Sequence, residues 1–555
     1  MNNSNISILE EKIKTGLQLL NDIYADYIFE SEEFDFQQKA RQFIDLALKI
    51  LYNAKEQLND NTLYSLVYEC MELDKNIRIN YSFSQQTALN NSSYQENKLL
   101  FEKEIRQEYE TIKRKITNVT PDDSLFHSYS DQLFSLQLNK DSLMDDLSKS
   151  GDQIHKGVSY KDCIDLINQE SLGLMLFYRN ELHLYQLFLS SEQQDFNSLD
   201  VSKIDPALKN HFASIRNFNE KQYDKNKALF LQSSQVLYQE LIGTLKQDIL
   251  PFSLVILPDG ELSYMSFDLL LKHTQAEAYK DLPYLIMDHS ISYLGSVSQM
   301  LRFDSDKSTG HDYLGFAPIY AENQTNTSAF RSDLNQLLHN QNEVINCSGL
   351  FNGEYFLGAD ATETNFKEHM KKTSILHLAM HATVNDENPM ESYLNFYVDS
   401  TQIDDGKLYM TEISKMNLNS DLVILSACQT NTGEQIQGQG LTGIARAFQN
   451  ANNQNILYTN WVVDDKSSQT IIQSFLEKVK SGQSAPISLR EAKLHYLKQS
   501  PTARTSPIHW AGYNYYGALS FGYNNPSNRN SHLLMGVVFL VGFLMIGNFF
   551  IKKMT

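Results

Sequence analysis

The chain has 555 residues, enough for several domains and at least one sizeable core. Its 24 glycines and 11 prolines make up about half the usual combined share of roughly 12%, which argues against a disordered chain and for a helix-rich fold. The 47 Lys and Arg stand against 67 Asp and Glu, a net charge of −20 with no basic stripe interleaved with aromatics; that balance argues against direct nucleic-acid binding, whose affinity comes mostly from neutralising phosphates.

Residues 1–150 read as helices. Phe43, Ala47, Ile50 and Ala54 share one helical face, as do Leu63, Val67, Cys70 and Ile77, and further on Phe101, Ile105, Ile112 and Ile116. The mixed charges between them form solvated faces, so antiparallel helical hairpins are expected, without a clean repeat period. The first residues, MNNSNISILEEKIKTGLQLL, show no basic leader followed by an apolar run, and no export signal is expected.

After about residue 155 the pattern changes. SLGLMLFYRNELHLYQLFLS (171–190) holds two apolar runs around Arg179, Asn180 and Glu181, which predicts a hairpin. SLVILPDG (253–260), YLGFAPIY (313–320), SILHLAMHA (374–382), DLVILSACQ (421–429), NILYTNWVV (455–463) and NYYGALSFG (514–522) predict further strands. Several are apolar on both faces, as in a parallel sheet covered on both sides. Helical stretches at 441–451 and 468–482 separate them, so an α/β sheet is expected, with function at the carboxyl ends of its strands. A short polar linker at 526–532 leads to LLMGVVFLVGFLMIGNFFI (533–551), 19 positions without a charge before Lys552 and Lys553. At about 1.5 Å per residue this nearly spans a hydrocarbon core of about 30 Å. The expectation is a single-pass, tail-anchored membrane protein with its bulk in the cytoplasm.

Three chemical signals compete. Gly438, Gly440 and Gly443 spell G-x-G-x-x-G, with Asp464 about twenty positions later, as in a dinucleotide fingerprint. That motif needs its first glycine directly off the strand; here residues 429–437 intervene, so a loop turning into a helix is the simpler reading. His377 and His381 are four apart, which on a helix suits zinc. On the strand ILHLAMHA the rings would lie roughly 13 Å apart, so no metal site is expected. The four cysteines are widely spaced, with no C-x-x-C pair, and fit free thiols in a reducing compartment. Of these, Cys428 ends one strand and His381 ends another, 47 positions earlier (428 − 381). Each alone is also read as an ordinary core or hydrogen-bonded residue. Together they suggest a cleft dyad, near the roughly 50-residue spacing of caspases.

With these blocks in order, residues 155–523 resemble a CHAT-domain peptidase, a relative of caspases and separases. LPDGELSYMSFDLL (257–270) is similar to the family's Pro-Asp-Gly segment, with Ser266 in place of a proline; YLIMDHSISYLGS (284–296) and YLGFAPIY resemble the next blocks. ILHLAMHA resembles the histidine block, LVILSACQT with GQGLTGIARAF the cysteine block, NWVVDD (460–465) the following strand end, and SPIHWAGYNYYG (506–517) the closing block. The N-terminal helices resemble, less specifically, a tetratricopeptide-like region.

The resemblance implies a caspase-like α/β sheet with helices on both faces, spanning 151–525. A degenerate half at 151–320 would precede an active half at 321–525. It implies His381 as general base, Cys428 as nucleophile, and an oxyanion hole from the backbone N–H groups of Cys428 and Ala382, the latter standing where caspases and separases have glycine. His377 is then structural. Trp461, Asp464 and Asp465 would lie near the substrate, where the aspartates could favour a basic residue; alternatively they cap the next helix. No cofactor is implied. A protein substrate is expected, with an activating partner on the N-terminal helices and, from the family alone, a setting in bacterial defence or regulated cell death. The competing expectation is a catalytically silent adaptor of the same fold.

Overall fold

The computed structural model describes residues 3–27, 33–90, 157–216, 223–301, 311–320, 340–370, 373–383, 392–398, 404–414, 416, 418, 420–426, 444–451, 453, 455–461 and 463–517. At the N-terminal end, α1 (Asn3–Tyr27), α2 (Glu33–Asn53) and α3 (Asp60–Asn90) pack together. The apolar row Leu63, Val67, Cys70 and Ile77 is buried, as are Ala47 and Ala54, with Phe43 packed against the same core. A 3.6-residue period puts the apolar stripe on one side, but Glu72, Asp74 and Lys75 of α3 are buried as well. The row Phe101 to Ile116 lies outside the described residues.

The rest is built on a sheet. After α4 (Tyr160–Glu170), strands β1 (Leu172–Arg179) and β2 (Leu184–Leu189) form the expected hairpin, and β3 (Gln194–Leu199) adds antiparallel to β2. A helical pair, α5 (Val201–Arg216) and α6 (Tyr223–Leu241), leads to β4 (Ser253–Leu257), β5 (Ser290–Tyr293) and β6 (His311–Pro318). Then come α7 (Asn340–Phe351), β7 (Glu354–Gly358), β8 (Thr373–Leu378), and a small second sheet of β9 (Ala382–Thr383), β10 (Tyr393–Asn395) and β11 (Lys407–Tyr409). Last are β12 (Leu422–Leu425), α8 (Ile444–Asn450), β13 (Ile456–Thr459), α9 (Asp465–Lys480), α10 (Ala485–Gln499) and β14 (Tyr513–Tyr516).

Eleven described strands run in the order β3-β2-β1-β4-β5-β14-β13-β12-β8-β6-β7. Strand β14 joins two groups, parallel to β5 on one side and antiparallel to β13 on the other. Strand β6, which precedes residue 320, pairs with β7 and β8 in the second group. Period-two alternation accounts for the layering. Val423 and Leu425 join the core that contains Ala445 and Phe448 of α8, whereas Leu422 and Ile424 join the core of Val344 on α7, Ile472 and Phe475 on α9, and Leu489 on α10. Helices therefore cover both faces of the central strands, which explains why these strands read as continuous apolar runs.

The Pro-Asp-Gly turn after β4 is where the helical region meets the sheet. Asp259 Oδ2 accepts the Arg179 N–H at 2.8 Å, and Oδ1 accepts the N–H of Gly260, whose φ is +56°. Lys75 of α3 donates to Pro258 O at 2.6 Å and lies 3.9 Å from Asp259 Oδ1. Nearby, Glu72 accepts the Val297 and Ser298 N–H groups, each at 2.9 Å. Polar groups this deeply buried need such partners, so α3 is held to the sheet by satisfied charges as well as apolar packing.

One expectation is corrected. Among the described residues no helix is long and apolar enough to cross a membrane, so neither a C-terminal membrane helix nor a tail-anchored location stands. Residues 533–551 lie outside the described residues.

Candidate functional site

Strands β8 and β12 are parallel neighbours, so their carboxyl ends share one edge of the sheet. Their register pairs Leu378 with Leu425, and the Ser426 N–H donates to Leu378 O at 3.2 Å, extending the ladder by one step. His381 follows Leu378 by three residues. Cys428 follows Leu425 by the same three, but it and residues 429–443, including Gly438, Gly440 and Gly443, lie outside the described residues.

His381 is partly exposed, and a single hydroxyl sets its backbone. Its N–H donates to Tyr320 Oη at 2.9 Å, and that hydroxyl donates onward to Asn395 O at 2.8 Å. The Asn395 N–H meanwhile donates to His381 O at 2.9 Å. In an antiparallel ladder His381 and Asn395 would exchange both bonds directly; here Tyr320 is wedged into one of them. The Tyr320 and His381 rings lie 4.7 Å apart between centroids. One step on, Ala382 faces Leu394 in the register. That makes it the non-hydrogen-bonded position of the ladder, with its N–H turned away from β10.

His377, the other histidine of the block, is fully buried. Its Nδ1 meets Tyr313 Oη at 2.7 Å and its Nε2 meets Glu343 Oε1 at 2.9 Å. The same Glu343 oxygen accepts from Ser426 Oγ at 2.6 Å, and Oε2 accepts from Ser468 Oγ at 2.8 Å. Sequence reasoning singled out none of Tyr320, Glu343 and Ser426. Only Ser426 carried a signal, two residues before Cys428. No group of three or more metal-ligating side chains occurs among the described residues.

Trp461, Asp464 and Asp465 follow β13. Trp461 is buried, and its Nε1–H donates to Ile508 O at 3.1 Å. Asp464 is the N-cap of α9: its side chain accepts from the Ser467 N–H at 3.3 Å and from His509 Nδ1 at 3.0 Å, and it pairs with Arg504. Burial works to raise this carboxyl's pKa; the bonds from His509 and Ser467 and the Arg504 cation outweigh it, holding the group well below the usual range. Asp465 is the first residue of α9. The capping geometry follows from residue type, since a short carboxylate at a helix start satisfies an N–H that has no partner within the helix.

A family model described as CHAT domain matches residues 231–518, just over half of the chain. Tetratricopeptide repeat protein 28 of Mus musculus is 31% identical over 121 residues, 22% of this chain and 5% of that protein. Two crystal structures of the Saccharomyces cerevisiae separase–securin complex, at 3.0 and 2.6 Å resolution, are each 9% identical, with TM-scores of 0.43 and 0.41. Each comparison covers 92% of this chain and 40% of the other. The chain thus spans less than half the length of these relatives.

Proposed function

The chain belongs to the CHAT-domain family, and from that premise we propose that it is a cysteine endopeptidase, with Cys428 as nucleophile and His381 as general base. The observation that carries this is the shared offset. Two parallel strands are in register at Leu378 and Leu425, and the two candidate residues each follow three positions later in the sequence.

The chemistry follows from the residue types. A thiol with an ordinary pKa near 8.5 is mostly protonated at neutral pH. His381 accepts that proton, and the Cys428 thiolate attacks the peptide carbonyl, forming a C–S bond and an oxyanion. The backbone N–H groups of Ala382 and Cys428 are the proposed donors to that oxygen; the ladder position of Ala382, with its N–H turned away from β10, supports this role. The tetrahedral adduct collapses as the imidazolium protonates the leaving amine. Water, deprotonated by His381, then hydrolyses the thioester and restores the thiol. The proposed substrate is a protein. The proposed contact for an activating protein is the helical region, where Leu19 and Leu46 stand exposed.

The test compares the full chain with Cys428→Ala and His381→Ala in its own cells, mapping new protein N-termini across the proteome. New termini present with wild type and lost with both variants are expected. Identical maps from all three would leave only the silent adaptor.

A further inference from the structure

Glu343 occupies a position that an unpartnered carboxylate could not hold. Its side chain is 2% exposed, under α9 and against the strands, and burying it there requires donors. It has three: His377 Nε2, Ser426 Oγ and Ser468 Oγ. Burial, then Cys347 and Glu343 nearby, push the Tyr313 hydroxyl well above its ordinary range, so it keeps its proton. The Glu343 carboxylate can only accept, so the hydrogen sits on His377 Nε2, and in the neutral ring Nδ1 accepts from Tyr313 Oη.

The helix reaches this depth because of a glycine. Gly315 pairs with His377 across β6 and β8, and a Cβ there would lie 2.5 Å from Val344 Cγ1. With no side chain in the way, α7 settles onto the sheet and brings Glu343, the residue before Val344, to both strands.

We propose that Glu343 is a positioning residue that braces β8 to β12 and sets the spacing of the dyad. One carboxylate oxygen holds His377, four residues before His381, and Ser426, two residues before Cys428. The inference rests on the peptidase reading of those two residues. It gives the buried histidine of the block, and the serine that precedes the cysteine, a shared task that neither residue reveals alone.

The brace is best cut at its partly exposed end, because Glu343→Ala would strand several buried donors and is expected to unfold. The measurement is the rate of Cys428 alkylation by iodoacetamide in the full chain, read by peptide mass spectrometry across the titration range of imidazole and thiol. Wild type, Ser426→Ala, Ser426→Thr and His381→Ala are compared, with thermal unfolding as a control. Wild type is expected to titrate below an ordinary thiol. Ser426→Ala should shift the midpoint up toward about 8.5 and slow the neutral-pH reaction roughly tenfold, one pKa unit's worth. Ser426→Thr, which keeps the hydroxyl, should restore both. If Ser426→Ala matches wild type while His381→Ala differs, the brace is refuted and the peptidase reading stands. If His381→Ala also matches wild type, that reading fails and the brace fails with it.

Discussion

Replacing Asp464 separates a structural role from a substrate-facing one. The carboxylate caps a 16-residue helix and accepts from the Ser467 N–H, Ser467 Oγ, His509 and Arg504. Losing an N-cap costs about 1 kcal/mol. The Arg504 and Asp464 side chains are 37% and 36% exposed, so solvent screening limits each ion pair to about 0.5 kcal/mol. Asp464→Ala should therefore lose about 1–2 kcal/mol, and Asp464→Asn, which keeps an acceptor for the cap, less than about 1 kcal/mol. Because the folded carboxyl is held below its unfolded value of about 3.9, its stabilisation is fully present above that pH and fades as pH falls through the lower folded value. The gap between wild type and Asp464→Ala should persist at neutral pH and close in acid. Urea denaturation and hydrogen exchange of the first-turn amides, residues 465–468, measure it, with exchange faster in Asp464→Ala. Unchanged exchange and stability, together with an altered cleavage preference, would refute the capping argument in favour of a substrate contact.

Tyr320→Phe removes the hydroxyl wedged between His381 and Asn395. Turnover of a cleaved peptide should fall roughly tenfold to a hundredfold with little change in KM; an unaltered kcat would count against the role given to Tyr320. His377→Ala removes one of the three donors to Glu343 and the ring that the Tyr313 hydroxyl meets. The expected loss is about 1–3 kcal/mol, read by urea denaturation, and a loss below about 1 kcal/mol would mean that water replaces the imidazole. Gly315→Ala forces Val344 and Tyr313 aside, at a cost of about 1–3 kcal/mol. It should also slow Cys428 alkylation, because α7 can no longer seat Glu343; a stable variant with wild-type alkylation contradicts that.

Much of the architecture was legible in the chain itself. Apolar runs such as LVIL and ILYT announced strands buried on both faces, because a parallel sheet covered by helices repels polar side chains from either side. Pro258, Asp259 and Gly260 announced a turn through their backbone preferences, which are local. The proposed pair, His381 and Cys428, was read from residue type and from its place in sequence shortly after two apolar runs. Other features were decided only in three dimensions. Glu343 lies on a helix whose sequence neighbours say nothing of His377 or Ser426, which are 34 and 83 residues away. Tyr320 is 61 residues from the backbone it holds. Asp464 could cap or recognise on sequence grounds, and its partners Arg504 and His509 are brought in by a later segment. Local propensity and periodicity act through neighbours in sequence, so they define elements and turns. A hydrogen-bond partner for a buried polar group depends on which distant element packs against it, and only the tertiary fold makes that assignment.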